Sequence, residues 1–302
     1  MKKYYQIIGG LFCLGLLICG LGYFNRGFQT IGTNNGQGPL VVLKNNPRRI
    51  QRTLTTTKKF TTADITIKNT QLVVKPGPQL KAEFTSKQYV QVAVRDHQLQ
   101  IIQKQYPNQV NEVHLRAPQD RSPVQYSRLV ITIPPKQTLA ALKIKADNCR
   151  LSFQNVAVNK LVLDNTNSQA DWHQVSIIRQ AQISDSDCRY QLDNCRLAAP
   201  KLDLNDAHLQ IQHSQLTNLD LNANTITLKI LATALGQDNL IKANDLQLTL
   251  EDLNPDLSIN TSGHLDIIHN HQPKRRQLQQ NNSSINFLDI HSDDGQLKLQ
   301  GG

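Results

Sequence analysis

A repeat of about nineteen residues constrains the fold of this chain more than any other feature. From Leu139 onward, short bursts of alternating apolar and polar residues are separated by corners rich in Asp and Asn. Alternation with a period of two is typical of β-strands. The clearest aligned column consists of the pairs Leu151/Phe153, Ala170/Trp172, Tyr190/Leu192, Leu209/Ile211, Ile226/Leu228 and Leu246/Leu248. Its members recur at a near-constant interval, with one shorter step from Leu209 to Ile226, and such a period predicts a solenoid.

Two more columns support the same interpretation. One contains Leu142/Ile144, Leu161/Leu163, Ala181/Ile183, Leu202/Leu204 and Leu219/Leu221, and the other contains Val156/Val158, Val175/Ile177, Cys195/Leu197 and Leu216. Strands of three to five residues cannot bury a core alone, so stability must come from stacking equivalent positions about 4.8 Å apart. Only 39% of the residues are hydrophobic, which suits an elongated repeat. We predict an all-β chain with a single-domain β-solenoid, a β-helix-like stack of coils of about nineteen residues.

The regions flanking the clear repeats also contain strand-like segments. Residues 61–138 include "ADITIKN", "QLVVKP" and "RLVITIPP", joined by turns such as "KPGPQ". We expect them to form the first coils or a cap, with residues 106–123 as an inserted loop. Residues 139–302 are predicted to hold the repeats, with a loop near 270–284. The final segment, "INFLDIHSDDGQLKLQGG", is predicted to form two strands around an Asp-Asp-Gly turn and to cap the C-terminal end.

The N-terminus has the features of a membrane anchor. Residues 4–24 carry no charge, and as a helix they would span roughly 30 Å, the thickness of a bilayer core. Two lysines precede this segment and Arg26 alone follows it closely, which favours a cytoplasmic stub at 1–3 and an extracellular location for the rest. Residues 25–60, rich in Gly, Asn, Thr and Arg, then form a stalk. The alternative is a cleaved signal peptide, since Gly20-Leu21-Gly22 is a small-x-small step.

Positive charge is concentrated in the half of the chain that follows the predicted anchor. Residues 25–138 carry 17 Lys and Arg against 5 Asp and Glu, whereas residues 139–302 carry 14 against 18. A basic surface beside a bilayer can hold anionic lipids or wall polymers such as teichoic acids. The candidate anion-binding residues are Arg48, Arg49, Arg52, Lys58, Lys59, Lys274, Arg275 and Arg276. The alternative is that these cations only keep the surface soluble. Nucleic acid is not an expected partner, because stacking aromatics are few and the location is outside the cell.

Two clusters contain residue types that can carry chemistry. "HLDIIHNH" places His264, His269 and His271 close together, a weak candidate for a Zn²⁺ or Cu²⁺ site, although histidines on an edge strand are usually just solvated. "ISDSDCRYQLD" contains Asp185, Asp187 and Arg189, the residue types that polysaccharide-cleaving β-helix enzymes use for proton transfer. The same residues suit a corner. We predict no catalytic residue, no resident metal and no cofactor.

Three cysteines occur in look-alike pentapeptides, two of them the identical "DNCRL" at 147–151 and 193–197. The period places Cys149 and Cys188 in one column, with Ser168 between them and Ala207 after them. Two coils separate their backbones by roughly 9–10 Å, beyond the reach of a disulfide. Cys195 aligns instead with Val156, Val175 and Leu216, as a small core residue. A bond between Cys188 and Cys195 remains open.

The strand patterns also resemble a known family. The segments "DITIKNTQLVVKPG", "QLQIIQK" and "RLVITIPPKQTLAALKIKADNCRLSF", followed by the ladder of Leu-x-Leu strands, are similar to the "putative adhesin" domain of unknown function. That family occurs on membrane-anchored proteins of Gram-positive bacteria, some near envelope-stress systems. The resemblance covers residues 60–302 and implies a surface location and no known catalytic residue. We expect a non-catalytic binding or scaffolding protein whose partner is an envelope polymer, the membrane surface or another envelope protein. The alternatives are a carbohydrate-active enzyme on a β-helix and an interaction subunit of an envelope-stress system.

Overall fold

The described part of the chain consists of β-strands, turns and short connections. The computed structural model describes residues 30–32, 41–43, 52–86, 89–104, 127–269, 279–280 and 284–300, and no helix occurs among them. Accordingly, these residues include no helix that is long and apolar enough to cross a membrane. The predicted anchor at residues 4–24 lies outside the described residues, as do the predicted loop at 106–123 and most of the predicted stalk and of the loop near 270–284.

The chain divides into two compact units. Residues 1–51 and 105–125 form the first, whose described part is an antiparallel pair of β1 (Thr30–Gly32) and β2 (Val41–Leu43). Residues 52–104 and 126–302 form the second, which holds all the other described strands in one 21-stranded sheet.

The strands of the second unit fall into an N-terminal group and a repeat group. The N-terminal group comprises β3 (Arg52–Thr56), β4 (Thr62–Lys68), β5 (Thr70–Pro76), β6 (Lys81–Ser86), β7 (Tyr89–Arg95), β8 (Gln98–Lys104) and β9 (Ser127–Ile133). The repeat group comprises β10 (Leu139–Asp147), β11 (Arg150–Gln154), β12 (Ala157–Thr166), β13 (Gln169–His173), β14 (Ser176–Asp193), β15 (Arg196–Ala198), β16 (Pro200–Gln212), β17 (Gln215–Thr217), β18 (Asp220–Leu231), β19 (Ala234–Gly236), β20 (Asp238–Glu251), β21 (Leu257–His269), β22 (Gln279–Gln280) and β23 (Asn286–Gln300).

Equivalent strands stack in parallel, so the fold is solenoid-like. Strand β10 pairs with β12, β11 with β13 and β15 with β17, each in parallel and about one coil apart. A coil thus contributes one strand to each of three faces. Side chains alternate between buried and exposed along these strands, as in the pattern exposed-buried-exposed-buried-exposed of β13. The buried members form one continuous core, whose largest side chains include Trp172, Tyr190 and Phe153.

The corners explain why Asn and Asp fill the spaces between the apolar bursts. Most corner residues that adopt positive φ are Asn or Asp, which tolerate left-handed backbone better than other non-glycine residues. At the corner between β10 and β11 and its equivalents, these residues are Asn148, Asn167, Asp187 and Asp206. The amide side chains of Asn69, Asn148 and Asn167 also form a hydrogen-bonded ladder. Asn148 donates to Asn69 Oδ1 at 2.6 Å, and Asn167 donates to Asn148 Oδ1 at 3.5 Å.

The register corrects part of the predicted columns. Leu202 pairs with Ile183 and Leu221, and Pro200 pairs with Ala181. The pair that aligns with Ala181/Ile183 is therefore Pro200/Leu202, two residues before the predicted pair Leu202/Leu204. Pro200 is buried in an inward position where an aliphatic side chain was expected.

A second shift of the same size occurs in the clearest column. Leu209 pairs with Leu228, and Leu228 pairs with Leu248, so one whole coil separates each of these residues from the next. The short interval between Leu209 and Ile226 in the predicted column is therefore an error of the alignment, since the residue that stacks on Leu209 is Leu228. Because strand alternation has a period of two, both registers keep the apolar side chains inside.

Antiparallel strands cover the N-terminal end of the stack. Strand β4 lies between β10 and β8, and β5 lies between β11 and β9, with parallel pairing throughout. Strand β7 then pairs antiparallel with β8, β6 with β9, and β3 with β6. These strands cover the edges of the outermost coil, which would otherwise present unpaired backbone groups.

The C-terminal end departs from the order of the sequence. Strand β23 lies between β20 and β21 and is parallel to both, whereas the short β22 pairs with the outer strand β21. The prediction that the segment "INFLDIHSDDGQLKLQGG" caps the C-terminal end is therefore wrong for residues 286–300. They lie inside the stack as β23, and β21 lies further out.

Candidate functional site

A polar cleft of about 520 Å³ follows the corner between β10 and β11 across four coils. Three parallel rows of side chains line it. The corner row is Asn148, Asn167, Asp187 and Asp206; the buried row is Cys149, Ser168, Cys188 and Ala207; the outer row is Arg150, Gln169, Arg189 and His208. Because successive members come from adjacent parallel strands, each row repeats at about 4.8 Å.

The outer row contains two arginines that lie in line along the stack. Arg150 and Arg189 are two coils apart, which corresponds to about 10 Å. His208 pairs directly with Arg189 along the sheet. Partial burial, followed by repulsion from Arg189 and Lys229, lowers the pKa of His208. The outer row therefore carries two permanent charges and an imidazole that is neutral at physiological pH.

The corner row changes from amide to carboxylate side chains along the cleft. Asn148 and Asn167 continue the amide ladder, whereas Asp187 and Asp206 occupy the next two coils. Ser186 pairs with Asn205, and Cys188 pairs with Ala207, so the two carboxylates are direct neighbours. Like charges at facing positions cost stability, so this pair is the least favourable feature of the corner row.

The buried row contains two of the three cysteines that the structure describes, and neither is a nucleophile. Cys149, Cys188 and Cys195 are free and buried. Burial raises the pKa of Cys149 and of Cys195 to about 11, and burial with the charge of Asp185 raises that of Cys188 further. Since the reactive form is the thiolate, these groups are inert at neutral pH. The register confirms the column of Cys149, Ser168, Cys188 and Ala207.

The predicted column of Cys195 needs one correction. Arg196 pairs with Gln215, and the backbone N–H of Cys195 donates to Ser214 Oγ at 3.0 Å, so Ser214 is its neighbour and Leu216 pairs with Leu197. Val175 precedes Ser176, the partner of Arg196, and remains the neighbour on the other side.

A thiol-specific reagent is expected to leave the three buried cysteines unmodified in the native protein. Two further cysteines, Cys13 and Cys19, lie in the predicted anchor, so the test uses a chain carrying Cys13→Ser and Cys19→Ser. This chain should react only after denaturant is added, and then at three thiols per chain. Cys188→Ala should cost about 1 kcal/mol or less, because Ala207 already occupies the same row. Absorbance titration with Ellman's reagent measures the first result, and urea denaturation measures the second. Rapid reaction of the native protein would contradict the burial of the row.

The predicted cluster of Asp185, Asp187 and Arg189 does not assemble into one site. Asp187 and Arg189 line the cleft, but Asp185 faces the interior and is 4% exposed. The Tyr190 hydroxyl donates to Asp185 Oδ2 at 2.7 Å and accepts from Asn165 Nδ2 at 2.9 Å. Burial raises the pKa of Asp185 to about 6, against these hydrogen bonds. The carboxyl best suited to hold a proton is thus out of reach of a surface polymer.

An aromatic ladder lies beside this buried network. Phe153 and Trp172 meet edge to face at 5.4 Å between ring centroids, and Trp172 and Tyr190 do so at 6.3 Å. These geometries are favourable for aromatic pairs, and Tyr190 joins the ladder to the network of Asp185. The columns of the sequence predicted the buried positions of these residues, but no pattern indicated that a carboxyl would face inward with them.

A second, smaller groove of about 260 Å³ lies on the neighbouring face. In it, Asp193 accepts hydrogen bonds from His173 Nδ1 at 2.9 Å and from His213 Nδ1 at 3.1 Å. Although partial burial opposes the change, the hydrogen bonds from His213, Asn194, His173 and Gln212 lower the pKa of Asp193. Sequence reasoning missed this cluster, because its members come from three different coils.

The predicted site residues are placed as follows. Lys58 and Lys59 are exposed between β3 and β4, Arg52 begins β3, and His264 is exposed on β21. His269 ends β21, while Arg48, Arg49, His271, Lys274, Arg275 and Arg276 lie outside the described residues. Within the described ranges, no group of three His, Cys, Asp or Glu side chains could hold a metal ion.

Comparisons with known proteins identify a family. A family model described as Toastrack DUF4097 matches residues 58–300. The chain is also similar to two solved structures, a "putative cell adhesion protein" from Clostridium sporogenes and a "putative adhesin" from Bacteroides fragilis. The first is 10% identical, with 84% of this chain and 100% of the other covered and a TM-score of 0.28. The second is 11% identical, with 84% and 98% covered and a TM-score of 0.37. No curated protein matches the chain significantly.

Proposed function

The chain belongs to the Toastrack family of domains of unknown function, and we propose that it is a non-catalytic binding protein of the bacterial cell surface. In this proposal residues 4–24 anchor it in the cell membrane, with the N-terminus cytoplasmic and the remainder outside. The ligand is an anionic polymer of the envelope, of the teichoic acid class. The absence of charge in residues 4–24 and the excess of cations in residues 25–138 support this arrangement.

The outer row of the cleft is the observation that carries the proposal. Its two arginines lie in line along the stack, two coils apart, which suits a charged polymer that is too long for an enclosed pocket. Arg189 makes no ion pair with any described residue. Lys58, Lys59 and the basic residues of the predicted stalk are further candidate contacts for the same polymer. Contacts of this kind are each weak and are screened by salt, so binding depends on their number.

The double variant Arg150→Gln/Arg189→Gln is expected to bind anionic wall polymer about tenfold more weakly at low salt, since each exposed cation contributes about 0.5–1 kcal/mol. Its binding should also depend less on salt concentration. Sedimentation of the full chain with purified teichoic acid, across a salt series, measures both effects.

A matched control removes two cations elsewhere. Arg196→Gln/Lys201→Gln changes the net charge equally, on exposed positions outside the cleft. It should bind within about twofold of the unaltered chain, because only nonspecific attraction is reduced. Equal loss in both variants would assign binding to net charge alone, and salt-independent failure of the unaltered chain to bind would overturn the proposal.

A carbohydrate-active enzyme is the second candidate, because Asp187 and Asp206 are neighbours in the cleft. Paired carboxylates are what glycoside cleavage requires. The two candidates predict opposite results for Asp187→Asn/Asp206→Asn. Removing negative charge should strengthen binding of an anionic polymer in the first case, whereas it should abolish release of reducing ends from wall polysaccharide in the second. A third candidate, binding to another envelope protein, predicts that chemical cross-linking on intact cells joins this chain to that protein even when wall polymer is removed.

A further inference from the structure

The C-terminal strand β23 is inserted into the stack rather than added to its end. Asp238 of β20 pairs with Phe287 of β23, which in turn pairs with Ser258 of β21. The same order continues along the strand, through Leu248, Leu297 and Ile267. The coil that is last in sequence therefore separates two coils that are consecutive in sequence.

The strands β20 and β21 are separated in sequence by the same number of residues as strands that stack directly on each other. Asp238 and Ser258 have the same separation in sequence as Leu228 and Leu248, which pair directly elsewhere in the stack. Without β23, β21 could lie on β20 with its inward side chains in the same columns, Ile267 above Leu248. The chain thus has two compatible stackings at this end, and β23 occupies a slot between strands that can also pair with each other.

Both sides of the slot require glycine. A Cβ at Gly295 of β23 would lie 2.2 Å from the carbonyl oxygen of Leu246 in β20. A Cβ at Gly263 of β21 would lie 1.9 Å from the carbonyl oxygen of Ser292 in β23. Both glycines have positive φ, 155° and 93° respectively. The sequences of β21 and β23 therefore match the inserted arrangement specifically.

The start of β23 is held by contacts with both neighbours. Asn286 Oδ1 accepts from the backbone N–H of Gln237 at 3.0 Å, and Asn286 Nδ2 donates to Asp256 Oδ2 at 2.7 Å. Asn239 Nδ2 donates to the carbonyl of Phe287 at 3.0 Å. These contacts recognise the strand by sequence as well as by backbone pairing.

We propose that β23 is an exchangeable strand, and that two copies of this chain associate when β23 of one copy inserts between β20 and β21 of the other. All contacts of the slot are the same for a strand of identical sequence from a second copy. The connection between His269 and Asn286, residues 270–285, includes β22, and once the pairing of β22 with β21 is released it is long enough for β23 to reach a second copy. This inference is independent of the proposed polymer binding.

Mixed single-cysteine variants test the exchange. Ser262 of β21 and His291 of β23 are direct partners with contacting side chains, so cysteines there lie within disulfide reach. Full chains carrying Cys13→Ser and Cys19→Ser receive either Ser262→Cys or His291→Cys. They are mixed at high concentration in mild denaturant, returned to native buffer and oxidised. We expect a disulfide-linked heterodimer in the mixture, and an intramolecular disulfide in the chain that carries both substitutions.

A matched pair inside the stack serves as the control. Lys201 of β16 and Asp220 of β18 are also direct parallel partners, but neither strand is terminal. Mixing Lys201→Cys with Asp220→Cys should give no heterodimer, and adding Gly295→Ala to the His291→Cys chain should reduce its heterodimer at least severalfold. If the Ser262→Cys/His291→Cys chain forms its intramolecular disulfide but the mixture of single variants gives no heterodimer, the proposed strand exchange is wrong. Failure of that double variant to close would overturn the insertion itself.

Discussion

A Gly295→Ala chain is expected to lose about 3–5 kcal/mol of its free energy of unfolding, the sum of backbone strain at positive φ and displacement of a packed strand. The added methyl group would meet the backbone of Leu246, with the carbonyl oxygen at 2.2 Å and the carbonyl carbon at 3.0 Å. Backbone atoms within a parallel ladder cannot move aside individually, so β23 would have to separate from β20. Urea denaturation followed by circular dichroism measures the loss.

The control for this prediction is the same substitution in the short strand β19. A Cβ at Gly236 would approach Thr217 Cγ2 at 3.1 Å, and this side chain can shift by a small amount. Gly236→Ala should therefore cost about 1 kcal/mol or less. Gly263→Ala should resemble Gly295→Ala, and the double variant should cost much less than the sum, because either substitution already releases β23. If Gly295→Ala and Gly236→Ala unfolded at the same urea concentration, the insertion of β23 would be refuted.

The composition of the strands and corners made most of the repeat predictable. Alternation placed Leu151, Phe153, Ala170 and Trp172 in the core, and their register is as predicted. The errors arose where two registers are equally compatible with alternation. At Pro200 the sequence offers Leu202 and Leu204 as the more obvious apolar pair, and only the ladder shows that Pro200 takes the inward position.

The order of coils at the two ends was beyond sequence reasoning. A repeat period indicates which residues are equivalent, but not whether a neighbour in sequence is a neighbour in space. The spacing of β21 from β20 fits direct stacking, yet β23 lies between them. What distinguishes the inserted arrangement is a pair of backbone contacts at Gly263 and Gly295, and such contacts leave no periodic signal.

The sequence predicted the buried row of the cleft but not its outer row. The look-alike pentapeptides led to the row of Cys149 and Cys188, whose small buried side chains mark the floor of the cleft. The candidate cations were sought in dense runs such as Arg48, Arg49 and Lys274–Arg276. The cations of the outer row lie two repeats apart in sequence, and only the period of the coil brings Arg150 and Arg189 into one line.

Asp185 is expected to make the stability of the protein fall as the pH rises from about 4 to above 6. Burial raises its pKa in the folded state to about 6, from an ordinary value of 3.8. Below that ordinary value both states are protonated and the group has no effect. Between the two values the unfolded chain releases its proton while the folded chain keeps it, so unfolding is favoured progressively. Above the folded pKa the cost reaches a plateau of about 3 kcal/mol.

An Asp185→Asn chain isolates this effect, because the amide keeps the shape of the side chain and removes its titration. The difference in free energy of unfolding between the two chains should shift by about 2.5 kcal/mol in favour of Asp185→Asn between pH 4 and pH 8. Other titrating groups, including Asp193 with its lowered pKa, cancel in that difference. Parallel profiles for Asp185→Asn and the unaltered chain would mean that water or a cation reaches Asp185, and that the network with Tyr190 does not isolate the carboxyl.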